Sequence, residues 1–173
     1  MRIAVTGTPG TGKTTATERL DADLPVLHLN EVVHEEGLIE GRDEERDTAI
    51  VDVEAVAAWL DAEAPADVVV ESHLSHRLPA DRVVVLRAHP EPIETRLRER
   101  GESDATAREN AESEALDVIL AEAVERHGEE HVYEIDTTDR DPDAVAGEID
   151  AVIRGQRDPS AGTVSFTEYF HGD

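Results

Sequence analysis

The sequence predicts a layered α/β domain built on a parallel sheet, and three observations carry that prediction. Short apolar runs alternate with segments of helical period along the whole chain. The runs at 66–71 and 82–87 are apolar on both faces, as central parallel strands covered on both sides must be. The first run passes directly into a glycine-rich loop and then into a helix start. The 173 residues suffice for one core with small insertions.

The first strand is Arg2-Ile3-Ala4-Val5-Thr6. It leads into Gly7-Thr8-Pro9-Gly10-Thr11-Gly12-Lys13-Thr14-Thr15, which has the G-x-x-x-x-G-K-T spacing of a phosphate-binding loop. Glycines let consecutive N–H groups point inward at phosphate oxygens, and the following helix, through residues 16–20, adds the positive end of its dipole. In such a loop Lys13 reaches the β- and γ-phosphates and the Thr14 hydroxyl ligates Mg²⁺. Composition singles out the same residue. Fifteen of the 16 basic residues are arginine, and Lys13 is the only lysine. A compact ammonium fits between phosphates where a planar guanidinium does not.

Residues 24–29 read as a second strand, with Asn30 as the N-cap of a helix over 31–36 that Gly37 closes. Residues 38–48 are polar and without a clear period, the pattern of an exposed insertion. A helix over 51–60 carries Val53, Val56, Ala57 and Leu60 at helical spacing, and 66–71 and 82–87 are the third and fourth strands. Between these two strands, 72–79 is too short and too Pro-bounded for a long helix. A helix over 90–100 turns Ile93 and Leu97 inward. After an interruption at 101–106, one long helix is expected over 107–127, with Ala111, Ala115, Val118, Ile119 and Ala123 in a stripe. A fifth strand spans 131–136, and Pro142 opens a last helix that ends near residue 154. The domain is thus 1–154, followed by a tail over 155–173 that holds three of the five aromatics, Phe166, Tyr169 and Phe170. The tail either folds back as an anchor or docks a partner.

The formal net charge is −25. Such a surface repels itself in dilute buffer but is screened in molar salt, where the Debye length is about 3 Å. With lysine almost excluded, it resembles the proteins of a salt-accumulating halophile. It also argues against binding to bare DNA or RNA. Without cysteine there is no disulfide framework or thiolate chemistry, and no apolar run has the length of a membrane span or signal, so a cytoplasmic protein without membrane contact is expected.

A phosphate loop identifies a nucleotide and no more; the reaction class must come from other residues. Glu71 ends the third strand, at the sheet edge where ligands of open α/β folds sit, and it can hold Mg²⁺ beside Thr14. Two residues on, His73 can orient a water or a phosphate, or, like His76, serve only packing. Arg96, Arg98, Arg100 and Arg108 fall within 13 positions. Arg96 and Arg100 share a helix face, and Arg100 and Arg108 are candidates to clamp the transferring phosphoryl group; Arg98 reads as surface. Arg42 and Arg46, in the insertion, either grip an acceptor's phosphate or pair with Asp43, Glu44, Glu45 and Asp47.

The loop 7–15, the Arg96-Leu97-x-x-Arg100-Gly101 turn and Arg108-Glu109-Asn110-x-Glu112 together resemble the adenylate kinase group of P-loop kinases. The short Gly41-x-Asp43-Glu44-Glu45 insertion and the Arg100-Gly101-Glu102-Ser103 lid are similar to its atypical type, adenylate kinase isoenzyme 6 or coilin-interacting nuclear ATPase, here in a haloarchaeal form. The likeness covers residues 1 to about 153. It implies a three-layer P-loop NTPase fold with parallel strand order 2-3-1-4-5, a nucleoside-monophosphate insertion near 28–51 and a lid near 99–109. It implies reversible transfer, ATP + AMP to two ADP, with Mg²⁺. It also implies ATPase activity in maturation of the small ribosomal subunit, with a ribosomal protein and a pre-ribosomal particle as partners. Gly10, Gly12, Lys13, Thr14 and Thr15 align with the ATP phosphate site and Arg100 with the ATP-contacting lid arginine. Where the family has Asp-x-His, this chain has Glu71-Ser72-His73, one methylene longer. ATP hydrolysis as the main role, and transfer to another small acceptor, stay open.

Overall fold

A computed structural model describes residues 1–46 and 48–172. Along the chain come β1 (Arg2–Thr6), α1 (Lys13–Thr17), β2 (Val26–His28), α2 (Leu29–Glu36), β3 (Ile39–Asp43), β4 (Thr48–Val51), α3 (Val53–Glu63), β5 (Val68–Glu71), β6 (Arg82–Arg87), α4 (Pro90–Glu99), α5 (Asp104–Ala115), α6 (Val118–His127), β7 (Val132–Asp136) and α7 (Pro142–Ile153). Five strands form one sheet in the order β2-β5-β1-β6-β7, every neighbouring pair parallel. Numbering the parallel strands alone, this is 2-3-1-4-5, the order the resemblance implies.

The continuous apolar runs follow from a sheet covered on both faces. Alternate residues Ile3 and Val5, Val69, Val84 and Leu86, Tyr133 and Ile135 pack with Ala16 of α1 and with Val145, Ile149 and Val152 of α7. The residues between them go to the other face: Val68 and Val70 meet Leu29, Val33, Val56 and Leu60 of α2 and α3, while Ala4, Val83, Val85 and Val132 meet Leu120 and Ala123 of α6. Each fully buried valine, leucine or isoleucine among them contributes about 1.5–3 kcal/mol by leaving water. Local signals set the helix starts. The Asp52 carboxylate accepts the Ala55 N–H at 3.0 Å to cap α3, Ser103 caps α5 through Thr106 N, and Pro142 follows the capping Asp141 at the start of α7.

Several elements differ from expectation. Ile39–Asp43 of the polar stretch and Thr48–Val51, Val51 included, form an antiparallel hairpin of β3 and β4; a register shift between Ile39 and Gly41 and two exposed faces hide the period of two that would betray it. Asp47, expected among the partners of Arg42 and Arg46, lies outside the described residues. Helix α2 begins at Leu29 with His28 in the cap position, so Asn30 lies inside the first turn. Helix α1 starts at Lys13 and ends after Thr17. Residues 72–79 contain a single 3₁₀ turn, Ser75–Arg77.

The largest correction concerns 107–127, which is two helices. α5 starts at Asp104 and ends at Ala115, and α6 starts at Val118. Between them Asp117 has φ 56°, a left-handed conformation that breaks the helix, and its carboxylate accepts a hydrogen bond from the buried guanidinium of Arg87. The apolar stripe runs through both helices and so conceals the break.

Candidate active site

The loop after β1 is held from several sides. A Cβ on Gly7 would stand 2.6 Å from the carbonyl oxygen of Leu86, so only glycine lets the chain pass β6 here. Gly12, with φ 86°, is the N-cap of α1. Arg96 Nη1 donates to Gly10 O at 2.8 Å, Thr137 Oγ1 to Thr11 O at 3.1 Å, and Thr8 Oγ1 to Glu114 Oε2 at 2.6 Å. Lys13 folds back over the loop and donates from Nζ to Gly7 O at 2.8 Å and Thr8 O at 3.1 Å. Burial pushes its ammonium down to about 8, with Glu71 and Glu114 working against that fall and Arg100 adding to it.

Glu71 reaches the loop because parallel pairing puts the ends of three strands side by side. The register sets Val5 and His28 opposite Glu71. His28 Nδ1 bonds Glu71 Oε2 at 2.8 Å, and Thr14 Oγ1 donates to Oε1 at 3.4 Å. A hydroxyl and a carboxylate oxygen together are hard oxygen donors of the kind Mg²⁺ takes, alongside waters and substrate phosphates, so these residues fit that ion. Among the described residues no group of three or more His, Cys, Asp or Glu could hold a metal by itself. The His28 contact was missed by sequence reasoning; a histidine at the end of a strand neighbouring the Glu71 strand was its only signal.

His73 lines the same cleft as Lys13, Thr14, Glu71 and Arg100. Burial, then the charges of Lys13, His76 and Arg77, push its imidazole down to about 4, so it is neutral at pH 7. An unfolded chain takes up that proton near pH 6.5. Between pH 6.5 and about 4 the unfolded state therefore binds more protons, and stability falls as the pH falls. Replacing His73 by Gln should flatten the slope of unfolding free energy against pH in that window; an unchanged slope would show an imidazole that titrates normally. His76 is different. It is buried with Nδ1 on Thr6 Oγ1 and Nε2 on Glu122 Oε2, both at 2.8 Å, which makes it part of the packing.

The arginines separate by position. Arg100, just beyond α4, lines the Lys13 cleft and also a cavity of about 200 Å³ on the other side of the loop, beside Gly10, Gly12 and Thr15. Arg96 and Arg140 line that second cavity as well, and neither was read as a site residue beforehand. For Arg140 the one signal is its place between the last strand and the Pro-started helix. Arg108 is exposed on α5 and is not among the residues that line the Lys13 cleft or the second cavity. Arg98 pairs with Glu94 and Asp104 on the surface.

A larger cavity, about 550 Å³, lies between the hairpin, α2 and α5, and reaches the loop at Pro9 and the end of β5 at His73. Val33, His34, Ala49, Leu97 and Asn110 are among the residues that line it. Arg46 lines it too and reaches across to the Glu109 carboxylate on α5. Arg42, exposed on β3, stands opposite Ala49 in the hairpin register. Two compartments thus flank one phosphate loop, with Lys13, His73 and Arg100 at or near their junction. Such an arrangement can bring two anionic ligands end to end and stabilise a group passing between them.

The chain is similar to known proteins over most of its length. The AAA domain family matches residues 3–117. A protein named "Putative adenylate kinase" from Natronomonas pharaonis is 60% identical, the alignment covering 98% of this chain and 99% of that one. One of the same name from Halobacterium salinarum is 61% identical over 98% and 99%, and one from Pyrococcus furiosus 41% identical over 98% and 93%. Among solved structures, a deoxyadenosine kinase from M. mycoides superposes with a TM-score of 0.55 at 14% identity, covering 90% of this chain and 100% of that one, a likeness of fold alone. No helix among the described residues is long and apolar enough to cross a membrane.

Proposed function

The chain belongs to the archaeal family whose members bear the name "Putative adenylate kinase", and on that premise we propose that it is a nucleoside monophosphate kinase that transfers the γ-phosphoryl group of ATP to AMP. The observation that carries this reading is the pair of cavities meeting at one phosphate loop. ATP takes the smaller side, with its phosphates on the amides of Gly10, Gly12, Thr14 and Thr15, on Lys13, and under Arg100. AMP takes the larger side, its phosphate toward Arg46 and Arg42 of the hairpin. In this reading residues 28–51 are the acceptor-binding insertion, 99–109 the lid and 155–173 the tail of a 1–154 domain.

Mg²⁺, when bound at Thr14 and Glu71, neutralises charge on the β- and γ-phosphates. The chain's own contribution is positional and electrostatic. Lys13, held by the Gly7 and Thr8 carbonyls, turns its third N–H to phosphate oxygens, and His28 keeps Glu71 turned toward Thr14. Arg100 stabilises charge on the moving group, and Arg108 joins it only if α5 turns toward the loop. The acidic surface suits work in concentrated salt inside the cytoplasm.

Hydrolysis of ATP in ribosome assembly, as in the isoenzyme 6 type, is the second reading. It has one observation in its favour: a neutral His73 beside Lys13 and Glu71 can accept a hydrogen bond from an attacking water. The acceptor decides between the two, with a small-subunit ribosomal protein as the partner to add. With MgATP at high salt, AMP should raise ADP formation by at least about tenfold over water alone, ahead of CMP, GMP, UMP and deoxyadenosine. ADP and free phosphate released at a rate that AMP does not change, and that the ribosomal protein raises, would favour hydrolysis; a faster rate with deoxyadenosine or another base would move the acceptor assignment.

A further inference from the structure

Behind the loop lies a cluster of buried charge that phosphoryl transfer does not use directly. Arg87, the last residue of β6, is 1% exposed. Its Nε donates to Glu114 Oε1 at 2.8 Å, its Nη1 to Glu134 Oε2 at 2.7 Å, and its Nη2 to Glu114 O at 3.0 Å and to Asp117. The tail closes the cluster. Phe166 places its ring 5.5 Å from the guanidinium carbon, and the Thr163 N–H bonds the free oxygen of Glu134 at 2.7 Å.

One member of the cluster, Glu114, reaches the loop. Glu114 is 2% exposed, and its second oxygen accepts the Thr8 hydroxyl at 2.6 Å. The Thr8 carbonyl in turn accepts Lys13 Nζ, Thr11 N and Thr11 Oγ1. A continuous line of hydrogen bonds therefore joins the tail to the lysine of the phosphate site. A cluster serving stability alone could close on itself; this one ends on a loop residue whose carbonyl holds Lys13.

We propose that Glu114, oriented by Arg87 and by Thr163 and Phe166 of the tail, is a positioning residue that fixes Thr8 and thereby sets the Lys13 ammonium against the phosphates of ATP. A charged acceptor in a dry setting gives a short, directional bond, which is what holding one loop carbonyl in register requires. The proposal rests on the reading of the loop as an ATP site and is independent of which acceptor is used. It also gives the tail a part in the site, although the tail lies outside the phosphate-binding segment in sequence.

The test measures binding of a fluorescent ATP analogue with Mg²⁺, at high salt, on full-length variants whose folding is checked by circular dichroism. Thr8→Val, which keeps shape and loses the hydroxyl, should weaken binding about tenfold, and Thr8→Ser should stay within about twofold of wild type. Glu114→Gln, which exchanges the charged acceptor for a neutral amide, should weaken binding by no more than Thr8→Val, and the double variant should be no more than about twofold weaker than Thr8→Val alone, because residue 114 acts through the Thr8 hydroxyl. Phe166→Ala should weaken binding about threefold. Wild-type affinity in Thr8→Val, or losses that multiply in the double variant, would overturn the proposal. Should Glu114→Gln not fold, the valine and serine variants at the loop decide alone. A wild-type chain that binds no ATP sinks both this proposal and the loop reading; one that binds ATP yet makes no AMP-dependent ADP sinks only the acceptor assignment.

Discussion

Lys13→Arg is expected to lower phosphoryl transfer by about a thousandfold, although it keeps the charge, and Lys13→Met by at least as much. The ammonium sits in a space bounded by two loop carbonyls at 2.8 and 3.1 Å and is 8% exposed. A guanidinium is wider, planar and fixed in its donor directions, so it cannot occupy that space without moving the loop that carries the phosphates. With its pKa held near 8, the lysine is still mostly protonated at pH 7, and an arriving phosphate favours the charged form further. Turnover with saturating ATP and AMP checks the prediction. A wild-type rate in the arginine variant would mean that the reaction happens elsewhere.

Arg87→Met should destabilise the fold by about 3–5 kcal/mol, the cost of leaving one partner of a buried ion cluster without the other. Burial works against the guanidinium charge, but Glu114 and Asp117 outweigh it and hold its pKa above the ordinary arginine value. Removing the cation leaves Glu114 and Glu134, both nearly without solvent, and the half-buried Asp117 with no counter-charge. In a chain of this size the loss should lower the melting temperature by roughly 6–20 °C. Arg87→Lys should fall between the two, since one ammonium cannot serve three carboxylates at fork geometry. Unfolding followed in urea at constant salt reads the difference. A melting temperature within about 2 °C of wild type in the methionine variant would show that the cluster is relaxed in solution.

These two residues mark what the sequence discloses and what it withholds. Lys13 could be read at once, because its spacing from Gly7 and Gly12 is a backbone requirement and because it is the only lysine. The sheet was legible for the same kind of reason: valine runs on β5 and β6 have to be covered on both faces. Arg87 looks like an ordinary polar strand end. Nothing local says that three carboxylates from α5, the α5–α6 junction and β7 will converge on it, since those contacts span 27 to 47 residues. The same long-range pairing bends the chain at Asp117 and breaks a helix that periodicity alone would continue. His28 became visible only through the register of β2 on β5, and the hairpin only once its bulge was located. Arg108 had the right spacing from Arg100 for a clamp, but it is exposed on α5 and lines neither the Lys13 cleft nor the second cavity. Composition and local spacing thus define the loop and the layers, while the supports behind the loop depend on distant partners.

Following the γ-phosphoryl group itself tests the central claim most directly. ATP carrying a radiolabel at that position is mixed with unlabelled AMP, Mg²⁺ and the full chain at high salt, and the products are separated. Label recovered in the β-position of ADP, in step with AMP consumed, is the result expected of transfer between the two cavities. Label released as inorganic phosphate, at a rate that added AMP leaves unchanged, would contradict it.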